Sequence, residues 1–252
     1  MRKVGIMSMQ RIANYGSFLQ AYALKQLIEE VGCNVEFVDY HVGAPVIAEN
    51  ADSKNKVVRK IEKGLETFQY RAPLAHKLSF IRYKQSFARK YMPLLGIADE
   101  MNYNPTLDCL VIGSDEVFNC IQKNSNVGYS PELFGKNSHA KKLITYAASF
   151  GNTTLEKLEK YKKANEVGAL LKKFDAISVR DANSGTIVEQ LTGKEPVYNL
   201  DPVLTYDYMN CCDKIPQVQT NEKYLILYAY AGRISNDEAD WIAAYAKKKN
   251  LK

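Results

Sequence analysis

Four short clusters in this chain of 252 residues carry side chains from which a binding site could be built. In the first, Asn14 and Ser17 flank Tyr15 and Gly16 where a polar loop gives way to a periodic apolar stretch. An amide and a hydroxyl in such a place can bind a sugar, and the free backbone N–H groups of a helix start attract an anion. The second cluster is Gly113, Ser114 and Asp115: a glycine permits close backbone approach, and the carboxylate can accept a hydrogen bond from a hydroxyl. Arg180 is the third, a planar fork suited to a carboxylate or phosphate, each charge-assisted hydrogen bond contributing roughly 1.5–3 kcal/mol when partly desolvated. Asp201, held before Pro202, is the fourth. Each also has a plainer reading: Asn14 or Ser17 as a helix cap, Asp115 as an Asx-type turn, and Arg180 in a surface pair with Asp181 or Glu189 worth about 1 kcal/mol at most.

All four clusters stand just after short apolar runs. Residues 4–7 are too few for a helix and read as a buried strand. Phe18, Leu19, Tyr22, Ala23, Leu27, Ile28 and Val31 then recur every three or four places, a helix that Gly32 stops, and residues 35–39 read as the next strand. Strand, helix, strand implies parallel pairing, so the chain opens an α/β fold with a Rossmann-like open parallel sheet flanked by helices. Further strands are read at 107–112, 142–147, 176–179 and 197–199, with helices over 154–173 and 181–191. In such sheets ligands sit outside the carboxyl ends of the strands, where all four clusters fall. Residues 1–209 are read as one domain and 210–221, polar and holding Pro216, as a linker. Residues 222–252 open a second α/β unit: an apolar strand at 224–230 and a helix over 236–249 with Trp241, Ile242 and Tyr245 turned inward. A lone strand and helix cannot cover both faces, so this second domain reads as incomplete.

Composition excludes several classes. No apolar run nears the roughly 20 residues of a membrane span, and no signal peptide opens the chain, so the expected address is the cytoplasm. Five cysteines without a C-x-x-C spacing give neither a disulfide framework nor a metal site, and only His41, His76 and His139 are present, so no Cys–His or Ser–His pairing can be nominated. The dinucleotide and Walker glycine patterns are absent, and no cofactor is expected. Of the formal charge of +6, residues 54–91 alone carry +9, eleven Lys and Arg against Glu62 and Glu66. Two helices are read there, the first on Val57, Val58, Ile61, Leu65 and Phe68, the second on Leu74, Leu78, Ile81 and Phe87 after Pro73. Lys and Arg on a solvated face with aromatics inward is the plain account. The functional one is contact with an acidic glycan or an anionic membrane surface; no nucleic-acid motif accompanies the charge, and no nucleic-acid partner is expected.

The blocks VGIMSMQRIANYGSFLQAYAL, DCLVIGSDEVFN, ITYAASFG, FDAISVRD and LDPVL stand here in the order seen in polysaccharide pyruvyl transferases, and residues 4–204 resemble that family. The resemblance implies a glycosyltransferase GT-B-like pair of Rossmann-type domains, and transfer of a pyruvyl unit from phosphoenolpyruvate to a glycan or lipid-linked sugar in bacterial exopolysaccharide or cell-surface biosynthesis. It makes Asn14, Tyr15, Gly16, Ser17, Gly113, Ser114, Asp115, Asn119, Arg180 and Asp201 substrate-binding residues, with Arg180 on the anion of phosphoenolpyruvate. Relatives usually read GSDQVWN where this chain has Glu116 and Phe118, and the family's C-terminal histidine block has no counterpart here. The chain therefore reads as the acceptor-side domain with the start of the donor-side one, inactive alone and without a nominated catalytic acid. The alternatives are a non-catalytic glycan-binding module and an anionic-surface binder through residues 54–91.

Overall fold

A computed structural model describes residues 1–47, 73–122, 127–209, 211, 221–229 and 233–252, without the side chain of Lys84. The first basic helix read at 57–68, Tyr230, and the linker residues 210 and 212–220 lie outside the described residues. The chain divides into two units, Met1–Tyr206 and Asp207–Lys252.

The first unit is built on a six-stranded, wholly parallel sheet of β1 (Lys3–Met7), β2 (Asn34–Phe37), β3 (Cys109–Asp115), β4 (Lys142–Ala148), β5 (Ser178–Val179) and β6 (Val197–Tyr198). Its order is β2-β1-β3-β4-β5-β6, so the direction of winding reverses between β1 and β3. In an open α/β sheet that reversal opens a crevice at the carboxyl ends of the two strands between which it occurs.

Side chains alternate across the sheet because successive residues of a strand face opposite sides. Val111 of β3 joins Val4, Ile6 and Phe37 on one face, under α1 (Tyr15–Glu30) and α2 (Leu74–Leu95). Leu110 and Ile112 join Met7, Leu143 and Val179 on the other, under α3 (Leu155–Lys160), α4 (Ala164–Leu171) and α5 (Ala182–Thr192). Phe118, read as a change near the site, lies fully buried in this second layer, stacked on Phe134 with ring centroids 4.7 Å apart.

Three readings need correcting within this unit. The helix expected over 154–173 is two, because nothing in its apolar stripe is buried between Leu158 and Val167, and Lys162 turns the chain with a left-handed φ of 57°. Leu74 and Leu78, expected in a buried stripe of α2, are 61% and 44% exposed; it is the half beyond Tyr83 that packs, through Phe87, Met92 and Leu95. Asp201 does not end a strand but caps the short helix α6 (Pro202–Thr205), with Pro202 in the first-turn position where a missing N–H costs nothing.

In the second unit α7 (Asn236–Lys248) starts with a reciprocal cap, Ser235 Oγ accepting from Glu238 N while Ser235 N donates to Glu238 Oε2. The strand expected at 224–230 is not formed over 224–229, since a strand needs a ladder partner and among the described residues only the chain end bonds to this stretch: Leu225 N donates to Lys252 O at 3.0 Å, and Lys252 N to Lys223 O at 3.0 Å. Trp241 and Tyr245, expected inside, are 68% and 40% exposed.

Candidate functional site

The loop after β1 is stitched to the end of β3. Ser8 Oγ donates to the Ser114 carbonyl at 2.9 Å, and buried Gln10 accepts from Ser8 N and donates to the Val38 carbonyl. Asn14 then caps α1, its Oδ1 accepting from Gly16 N at 2.7 Å, which is the plainer of its two readings. One turn of α1 carries Ser17 and Gln20 into the crevice between β1 and β3. Ser17 Oγ donates to Asp115 Oδ2 at 2.7 Å, and the other Asp115 oxygen accepts from Glu116 N at 2.8 Å.

Arg180, the first residue after β5, enters the crevice from the far side. Its Nη1 donates to Asp201 Oδ2 at 2.7 Å and its Nη2 lies 3.9 Å from Asp115 Oδ1. Neither surface pair considered for it, with Asp181 or Glu189, is the one it makes. Asp181 is occupied instead in capping α5, accepting from Ser184 N and from the hydroxyls of Ser184 and Ser149. Gln20 Nε2 donates to the same Asp201 oxygen that Arg180 holds, while Val203 N donates to the other. The result is a closed ring of side chains, Ser17, Asp115, Arg180, Asp201 and Gln20, that leaves α1, crosses to β3, β5 and α6, and returns to α1 one turn on.

Two carboxylates thus face one guanidinium. Arg180, Asp115 and Asp201 are each about one-fifth exposed (22%, 19% and 18%), dry enough for their charges to act strongly and open enough for a ligand to reach them. The Oγ of Ser114 and the Oε1 of Gln20 are buried at this edge with no partner among the described residues. A site of this kind has acceptors to spare for hydroxyl groups, and its cation is already held by carboxylates.

Other residues from the sequence reading stand elsewhere. Asn119 is 7% exposed and its amide is spent beneath the loop, donating to Glu116 and Asn152 and accepting from Thr153 Oγ1 and Ile121 N. Gly113 is required by the sheet: its φ is +134° and a Cβ there would meet the Tyr146 carbonyl of β4 at 2.2 Å, so the close approach is that of a strand. Tyr15 turns to α2, its hydroxyl 3.1 Å from that of Tyr91 and its ring stacked on Tyr83.

The sequence reading missed Gln20 and Tyr40. Gln20 was visible in principle, being three residues beyond Ser17 on the same helix face. Tyr40 follows β2 and lines a pocket of about 400 Å³ with Gln10, Arg11, Ile12, Val42 and Met101. Burial, and then the negative charges of Asp115 and Asp39, push its phenol up to about 12. Arg11 is locked in a fork with Asp39 at 2.6 and 2.8 Å and donates to the carbonyls of Ala98 and Glu100. Burial alone would raise the Asp39 carboxyl, but the hydrogen bonds from Arg11, Asn102 N and Gln10 and the charge of Arg11 hold it below its ordinary value. Among the described residues no group of three His, Cys, Asp or Glu side chains gathers to hold a metal ion. Nor is any helix there long and apolar enough to cross a membrane.

Residues 14–249 match the family model described as polysaccharide pyruvyl transferase, which covers nearly the whole chain. No curated protein and no solved structure gives a significant match. The chain belongs to the polysaccharide pyruvyl transferase family.

Proposed function

We propose that this member of the polysaccharide pyruvyl transferase family moves a pyruvyl group from phosphoenolpyruvate to a sugar of a cell-surface or exopolysaccharide, and that the crevice between β1 and β3 receives the acceptor sugar. The single observation that carries the placement is the ring of Ser17, Asp115, Arg180, Asp201 and Gln20, with more hydrogen-bond acceptors than its one cation satisfies. A sugar brings hydroxyl donors and no charge, which such a ring suits; a phosphate brings charge of the wrong sign for two carboxylates.

The chemistry follows from the donor. Protonation of the terminal enol carbon leaves an oxocarbenium-like centre at the carbon bearing the phosphate. A sugar hydroxyl attacks that centre and yields its proton to a base, a role we assign to Asp115. Phosphate then leaves with the C–O bonding electrons, and a second hydroxyl of the same sugar can close the ketal. Arg180 meets the carboxylate of the donor only by exchanging Asp201 for it, so the pair acts as a gate on donor binding. In this reading residues 1–209 are the acceptor-side domain of a GT-B-like enzyme and 222–252 belong to the donor side.

Release of phosphate from phosphoenolpyruvate, followed with and without a panel of saccharides, tests the proposal. Acceptor-dependent release that Asp115→Asn abolishes supports it; no release with any sugar, and no sugar binding by calorimetry, overturns it. The same acid-rich ring favours one second reading, a glycan-binding module without turnover, which the two measurements separate: heat of binding without phosphate.

A further inference from the structure

The face of α2 turned away from the sheet carries a single column, Leu74, Leu78, Arg82, Gln85 and Arg89, spaced so that each stands one turn or nearly so above the last, and all five are exposed. Lys90 lies exposed beside it, and the 22 residues of α2 include no Asp or Glu. On its inner side the helix is fixed firmly: Phe87 is 1% exposed, and the rings of Tyr83, Phe87 and Tyr91 surround Tyr15 at centroid distances of 5.5, 5.5 and 5.3 Å. Tyr15 begins α1, two residues before Ser17, so the inner side of α2, opposite the basic column, packs on the helix start that borders the crevice.

We infer that this face docks the protein on an anionic phospholipid surface. Three observations select that partner. The helix has only cations to offer, and it lies within the stretch of residues 54–91 that carries +9 while the rest of the chain is slightly acidic. Two of its exposed leucines, Leu74 and Leu78, sit in the same column as the arginines, the pattern of a helix that lies in the interfacial plane with apolar groups below the headgroups. Leucines so placed have nothing to bury into on a nucleic-acid backbone, whose recognition rests on phosphate contacts alone or on groove-reading side chains. The inference does not depend on the transferase reading, since binding is measured without substrate.

Sedimentation of the full chain with phosphatidylcholine vesicles, with and without phosphatidylglycerol, tests it. Binding is expected only where phosphatidylglycerol is present, and is expected to fall with salt. Arg82→Gln with Arg89→Gln weakens it about twenty-five-fold, roughly five-fold for each cation removed near the surface. Leu74→Gln with Leu78→Gln weakens vesicle binding several-fold yet leaves retention on heparin unchanged; the exposed positions of both pairs keep the melting temperature unchanged as a folding control. The inference is overturned by equal binding to both vesicle types, by binding to neither, by an arginine variant that binds as the parent does, or by tighter binding to duplex DNA than to the anionic vesicles at the same salt.

Discussion

The two edges of the same sheet hold similar pairs of opposite charge in different surroundings. At the amino edge Asp108 accepts from Lys141 Nζ and Lys3 N, and Asp175 from Lys142 Nζ and Leu143 N, with the lysines 75% and 65% exposed. Each pair there joins residues 33 apart in the chain, is balanced one to one, and is tied to the first residue of a strand. At the carboxyl edge Asp115 and Asp201 share one guanidinium with Ser17 and Gln20, across four elements, at about one-fifth exposure. The amino edge uses charge to finish strand ends in water, while the carboxyl edge concentrates unmatched acceptors where water is partly excluded. The proposed binding role falls to the second because its acceptors outnumber its one guanidinium.

The largest test of that contrast is Asp115→Asn, expected to lower acceptor-dependent phosphate release by about a hundred-fold or more, as loss of a general base does. Next, Arg180→Met leaves Asp115 and Asp201 partly buried without their cation and is expected to cost about 3 kcal/mol in urea unfolding, at the low end for a broken buried pair. Adding Asp201→Asn should recover part of that loss, whereas additive effects would show that the ring is not coupled. Third is a pH effect. Because the folded carboxyl of Asp39 lies below its unfolded value of about 4, its contribution is present above that pH and is lost as pH falls through the folded value. Asp39→Asn should therefore cost about 2 kcal/mol at neutral pH and progressively less in acid, read from thermal melts across that range. Smallest is Lys141→Ala or Lys142→Ala at the amino edge, expected to leave the melting temperature within about a degree of the parent; a clear drop would erase the distinction between the edges.

Much of the frame was legible in the sequence because short apolar runs and a 3.6-residue period are local signals. β1, α1 and β4 fall where the spacing put them, β3 runs on to Asp115 where 107–112 was read, and Gly193 ends α5 in the left-handed conformation that glycine allows. The clusters at the strand ends were legible for the same reason. What each side chain would bind was not, because that depends on strand order. Arg180 has acidic neighbours in the chain at Asp181 and Glu189, yet the fold gives it Asp201 and Asp115, while Asp181 is spent on a cap. Asn119 shares a sequence block with Asp115 but points beneath the loop, a difference that residue type does not reveal. The exposed leucines of α2 carry a lesson of the same kind: a helical stripe says which face is apolar, not what covers it.

The reversal of strand order between β1 and β3 has a further meaning for how this architecture diversifies. Residues 38–108 connect β2 to β3, on the other side of β1, and their described residues supply Asp39, Tyr40, Met101 and the whole of α2 while their backbones bond to the sheet only at the two ends of the connection, at Val38, Leu107 and Asp108. Insertions or exchanges there can reshape the mouth of the crevice and its basic flank without disturbing pairing register. Exchanging this one segment between relatives would alter what flanks the carboxyl edge while keeping the strand order of the sheet.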